Sequence, residues 1–235
     1  MDNPTLRVAA VILYMLVVLA VGRALYLFLM RLKRKRTEAL RAKALELGFT
    51  FQPEGWTDSR DQPLLETPLF GQGWRGQRDL PFTNLMTSSQ NGLKISIFDY
   101  TYFIGGGKDT RVYRQTVGAF SKAGVHLPYF ELRPAGFIDE IWDTLGHKNI
   151  HFEADPEFSR RYVLRGALDD KVIAFFTPSL RSFLESLDPH DKWHLEGNAD
   201  TLVLYRFKQR TPPPELRTFY EQTTSIATSF LNLAG

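Results

Sequence analysis

Residues 93–120 read LKISIFDYTYFIGGGKDTRVYRQTVGAF. The runs LKISIFDYTYF and TRVYRQTVGAF both alternate and are rich in β-branched and aromatic residues, so each predicts a half-buried strand. Between them Ile104-Gly-Gly-Gly-Lys108-Asp109 supplies residues able to adopt positive φ, as a hairpin loop requires. The stretch therefore predicts an antiparallel pair.

Moving outward, YFELR (129–133) is a further strand candidate. AGFIDEIWDTLG (135–146) carries Phe137, Ile138, Ile141, Trp142 and Leu145 at helical spacing. NIHFEA (149–154) predicts a short strand, and DPEFSRRYVLRG (155–166) a turn leading into a helix or strand. In TPSLRSFLESL, Thr177 is placed to cap a helix, with Pro178 at its first position. WHLEGNADTLVLYRF predicts a second hairpin turning at Gly197-Asn198. The final helix opens at Thr211-Pro-Pro-Pro with Leu216, Phe219, Tyr220, Ile226, Ala227, Phe230 and Leu231 on its apolar side. Residues 52–92 are rich in Gly, Pro, Asp and Gln and predict only weak strands and loops. Hairpins precede interspersed helices without regular βα alternation, so the fold class is α+β with a largely antiparallel sheet.

Upstream lies a segment of a different kind. Val8–Leu32 reads VAAVILYMLVVLAVGRALYLFLMRL, and the 23 residues between Arg7 and Arg31 hold one charge, Arg23. A helix of that length rises roughly 34 Å, enough for a bilayer core of about 30 Å. A cleaved secretory signal would want a charged start, a shorter core and a small-residue cleavage site. The start here, MDNPTLR, is nearly neutral, and the best cleavage candidate is the poor AVGRA around Gly22. A retained transmembrane helix is the better reading. Arg23 lies in its C-terminal half, where a long side chain can bend its charge toward the headgroups; helix–helix association is the other role open to it.

Arg31, Lys33, Arg34, Lys35, Arg36, Arg41 and Lys43 follow the span, against Arg7 before it. Excess Lys/Arg stays cytoplasmic, so the N-terminus is expected outside and the large domain in the cytoplasm, at the inner membrane. The expected divisions are an anchor at 1–32, a basic juxtamembrane helix at 33–47 (Leu40, Ala44 and Leu47 apolar, Gly48 as its stop) and a single α+β domain at 48–235.

The net charge of +3 hides a division. Residues 31–43 carry seven Lys/Arg against Glu38, and from Ala44 onward twenty Lys/Arg stand against 24 Asp/Glu. A mildly acidic body argues against nucleic-acid binding, which needs a basic face. The seven basic residues are instead expected next to anionic lipid headgroups. There is no cysteine, which removes disulfides, thiolate catalysis and Cys-ligated metals.

Motifs for chemistry are weak. Gly105–Lys108 lacks the following Ser/Thr, and the helix, of a phosphate loop. His147/His151 and His190/His194 have i,i+4 spacing, but neither pair sits on a convincing helix. Along a strand such residues stand about 13 Å apart, too far to share an ion. Asp139, Glu140 and Asp143 lie on the polar side of their helix; Asp155, with Glu157 near it, suits a turn or cap. Ser121, Ser159 and Ser182 lack a nucleophile-elbow setting. Asp99, inside an apolar strand, needs a partner if buried, and Arg111 or Arg114 on the facing strand could supply it. No cofactor or metal is expected.

FDYTYFIGGGK, QTV, LPYFELRP, DPEFSRRYVLRG, FFTPSLRSFLESL and EGNADTLVLYRF, in that order, give residues 95–210 a resemblance to a group of uncharacterised bacterial membrane proteins with one or two N-terminal spans and a cytoplasmic domain of unknown function. The resemblance implies a bacterial inner-membrane protein and carries no catalytic residues. The expected function is a membrane-anchored binding or scaffolding module, with a protein partner possible. The alternative is a hydrolase or transferase acting on membrane-associated substrates. A deep polar pocket gathering Asp99, Arg111, His151 or Glu157 would favour the enzyme.

Overall fold

In the computed structural model, residues 4–54, 62–71, 82–105, 107–136, 149–167 and 169–233 are described. The apolar run and the basic segment form one helix, α1 (Pro4–Glu46), about 65 Å long, with no break between anchor and juxtamembrane part. It is the one helix among the described residues long and apolar enough to cross a membrane, and its apolar window is wholly unburied. Gly48, at φ +78°, closes it, and the Phe49 N–H donates back to the Ala44 carbonyl at 2.8 Å.

After α1 come β1 (Thr50–Glu54), α2 (Gln62–Leu65), α3 (Pro68–Gly71), β2 (Phe82–Gln90), β3 (Leu93–Ile104), β4 (Arg111–Lys122) and β5 (Leu127–Pro134). Then follow α4 (Pro156–Arg161), β6 (Tyr162–Gly166), α5 (Asp169–Phe175), α6 (Pro178–Ser186), β7 (Trp193–Ala199), β8 (Thr201–Arg206) and α7 (Leu216–Leu233). The strands make one antiparallel sheet in the order β1-β2-β3-β4-β8-β7-β5-β6. The α+β expectation, with its N-terminal apolar helix, hairpins and C-terminal helix, holds.

Strand alternation gives the sheet two unlike faces. One carries Ile95, Ile97, Phe120, Phe130, Leu132, Leu195, Leu202 and Leu204, and packs against the end of α1, α5, α6 and α7. The other carries Phe98, Tyr100, Tyr102, Tyr113, Val117, Val203 and Tyr205, under Leu64 of α2 and Leu69 and Phe70 of α3.

Several expectations need correction. Asn91-Gly92, both at positive φ, join β2 to β3 in a two-residue turn, so the weakly patterned region up to residue 92 holds a nine-residue strand. The β7–β8 turn lies at Ala199-Asp200, two residues beyond Gly197-Asn198. Gly197 is a strand residue, and a Cβ there would run into the Phe130 ring. NIHFEA contributes a single bridge, Ile150 to Leu164, instead of a strand. The helix expected at 135–146 lies, from residue 137 onward, outside the described residues. Thr177 and Asp155 cap α6 and α4 as their sequence positions suggest.

Candidate functional site

Two clusters of buried polar side chains stand out, one on each face. The first forms where α1 meets the sheet. Leu40 and Ala44 of α1 are fully buried, and extending their stripe back by four residues reaches Arg36. The Arg36 guanidinium clamps Asp99 with two hydrogen bonds, Nε to Oδ2 at 2.9 Å and Nη2 to Oδ1 at 2.8 Å. Its Nη1 donates to the Thr211 carbonyl at 3.0 Å. Fork-to-fork pairing of this kind fixes orientation as well as distance.

Asp99 is 1% exposed and collects more donors. The Thr116 hydroxyl, directly across the β3–β4 ladder, donates to Oδ1 at 2.9 Å, and Arg210 Nη2 approaches Oδ2 at 3.4 Å. The Asn84 amide donates to Oδ2 at 2.9 Å. Asn84 reaches it because β2 carries one extra residue between Thr83 and Met86, and Asn84 takes φ +56° there, a conformation Asn tolerates. Asp99 is thus partnered, but by Arg36 and Arg210 instead of the facing-strand Arg111 or Arg114; those two side chains are exposed.

The second cluster sits on the opposite face. Glu131 and Glu196 are directly opposed on β5 and β7, 2% and 0% exposed. Glu196 accepts from the Leu69 N–H at the start of α3 and from the Tyr205 hydroxyl, both at 2.7 Å. Glu131 lies 3.7 Å from Arg133. Burial, reinforced by the neighbouring Glu131, lifts the Glu196 carboxyl to about 8; burial lifts Glu131 to about 7 against the pull of Arg133 and Arg165. Burial, and then Arg133, push His194 down to about 3. Seven rings, Phe82, Tyr100, Tyr102, Tyr113, Phe207, His194 and Tyr205, run across this face with neighbouring centroids 5.0–5.8 Å apart. The row ends on Glu196 through the Tyr205 hydroxyl.

Three surface clefts among the described residues lie away from the buried carboxylates, and one of them reaches Tyr113 of the aromatic row. One of about 270 Å³ lies among Pro134, Arg161, Lys192 and Trp193, and one of about 280 Å³ among Leu93, Ile95, Lys122 and Leu231. A third, about 540 Å³, surrounds the β3–β4 loop at Lys108 and Asp109. None of these three is lined by Asp99, Glu131, His194 or Glu196.

The remaining sequence candidates are scattered. Arg111, His151 and Glu157 are exposed and do not join Asp99. His190 is exposed whereas His194 is buried, and His147, Asp139, Glu140 and Asp143 lie outside the described residues. Ser121 shares a hydrogen bond with Thr201, Ser159 accepts from the Phe152 N–H, and Ser182 is exposed. Gly105, Gly107 and Lys108 lie in the loop between the paired strands β3 and β4, where Gly107–Asp109 makes a single 3-10 turn before β4. Of the seven basic residues, Arg31, Lys33, Arg34 and Lys35 are exposed on α1. Arg41 lies over the Phe51 ring, Lys43 pairs with Glu46, and Arg36 is turned into the domain. Motifs and spacing in the sequence do not single out Glu131, Glu196, Tyr205 or Asn84. Charged or polar residues at inward positions of apolar strands are the signal that would have marked them.

The fold has a solved counterpart. The chain is similar to the crystal structure of the mycobacterial trehalose monomycolate transport factor A, TtfA, with a TM-score of 0.58 and 12% sequence identity, over 85% of this chain and 94% of that one. That likeness is one of fold. No family model matches the sequence, and no curated protein matches it.

Proposed function

We propose that the chain is a membrane-anchored binding or scaffolding module, facing the cytoplasm of a bacterium from the inner membrane. One observation carries the reading: the apolar helix continues unbroken into the domain core and is clamped there by Arg36 on buried Asp99. A domain on a slack tether samples all orientations, whereas one built onto its own span presents a fixed surface at a fixed height. The neighbour's name, a transport factor, agrees with a binding role. So does the scatter of the candidate catalytic groups.

Photo-crosslinking residues placed one at a time over the exposed domain surface of the full chain test this in cells. The reading expects adducts from one contiguous patch, lost when Asp99→Ala releases the clamp while the chain stays in the membrane. Adducts spread evenly over the surface, or a patch indifferent to Asp99→Ala, would overturn it. A reporter active only in the periplasm, fused after Gly235, should stay silent.

A further inference from the structure

Arg36 is the first residue along α1 that the domain covers; residues 7–9 and 11–35 are exposed. It follows Leu32, the last apolar residue of the run, by four positions, which is about 6 Å of helix rise. The headgroup layer on each side of the hydrocarbon core is about 5–7 Å deep. The groups gathered around Arg36 therefore stand at headgroup depth when α1 crosses a membrane.

Among the described residues, charge at that level does not balance. Asp99 faces Arg36 and Arg210, and the described charges acting on Arg210 are Asp99, Arg36 and Arg114. Arg114 lies two residues before Thr116 on β4, so strand alternation puts it on the same face of the sheet as Asp99. Arg36 and Arg210 thus share one carboxylate, and Arg114 adds a third guanidinium whose charge acts on Arg210. Arg210 bears the strain: its side chain is 34% exposed, yet its Nε is buried and has no hydrogen-bond partner among the described residues. Burial lowers its pKa, opposed by Asp99 and aided by Arg36 and Arg114.

We propose that Arg36, Arg114 and Arg210 form a binding site for the phosphate of an anionic lipid headgroup, which serves as the node's second counter-ion. Guanidinium forks match phosphate oxygens, and the uncompensated positive charge disfavours a zwitterionic headgroup with its own cation. The depth of the site selects a lipid phosphate over a free one. The inference rests on α1 spanning the membrane.

The test is native mass spectrometry of the full chain in neutral detergent at about 0.15 M salt, titrated with phosphatidylglycerol or phosphatidylcholine. Wild type should retain phosphatidylglycerol about tenfold more tightly, and Arg114→Gln should remove most of that preference. Arg114 is exposed, so this variant should melt like wild type. Arg210→Gln should act in the same direction, and Arg114→Lys should restore part of the loss. The double variant Lys33→Gln/Lys35→Gln, which thins the exposed charge on α1, should change the preference less than threefold. Equal retention of the two lipids, or equal losses from the Arg114 and Lys33/Lys35 variants, would overturn the site. Displacement of the lipid by millimolar inorganic phosphate would overturn its assignment to lipid. Alkaline carbonate extraction separates the premises: release of the chain from membranes would strike the span itself, whereas a retained chain without lipid preference would strike only this site.

Discussion

Asp99 on one face of the sheet and Glu196 on the other are equally hidden, 1% and 0% exposed, yet their surroundings differ in kind. Asp99 is held by two guanidiniums, an amide and a hydroxyl, drawn from α1, β2, β4 and the segment before α7. Glu196 has a backbone N–H and a tyrosine hydroxyl, with a second carboxylate directly opposite. The comparison shows that burial alone does not set what a carboxylate does; its partners do. On the first face the acid joins the long apolar helix to the domain. On the second, two acids are pushed toward their neutral forms beneath an aromatic row.

The largest effect is expected from Asp99→Ala, which strands Arg36 in a mostly buried position without its counter-ion. Removing one member of such a pair typically costs about 3–5 kcal/mol. Thermal and denaturant unfolding of the full chain in detergent measures it. Replacing both partners, Asp99→Leu with Arg36→Met, should recover much of the loss; a double variant no better than the single one would mean that the wider network, not the pair, is what matters.

A second, smaller effect concerns pH. A carboxyl whose folded pKa is raised binds its proton more tightly in the folded state, so stability falls as pH climbs from the unfolded value toward the folded one. Glu131 and Glu196, at about 7 and about 8, each contribute such a fall from near 4.5 upward. His194, depressed to about 3, works the other way, adding stability as pH rises from 3 to 6.5. The opposed contributions overlap below pH 6.5. Above it the histidine contribution levels off, and stability should fall by about 2 kcal/mol between pH 6.5 and 8. Glu196→Gln should flatten most of that slope. A slope unchanged in Glu196→Gln would remove the second face from the account of the pH dependence.

The smallest effect is that of Tyr205→Phe, which deletes the hydroxyl donated to Glu196 and should cost about 1 kcal/mol. Because that hydrogen bond favours the ionised carboxylate, its loss should also move the Glu196 titration upward. Carboxyl chemical shifts followed through the titration would check the sign.

Much of this architecture was readable residue by residue. The apolar length of 8–32, the alternation on either side of Gly105–Lys108, the Thr177-Pro178 start of α6 and the stripe on α7 are local signals, each satisfied within a dozen or two residues of backbone. Asn91-Gly92 was equally local and was obscured only by the irregular sequence before it. The failures are non-local. Gly197 resembles a turn residue until Phe130 is packed against it, and Asp99 points to its cross-strand neighbours until a helix arrives from 63 residues upstream. Glu131 and Glu196 become a pair only when β5 and β7, separated in the chain by α4, β6, α5 and α6, lie side by side. Periodicity encodes which way a side chain faces, because that depends on backbone geometry alone. What it meets there depends on the closure of long loops, and no short window of sequence contains that information.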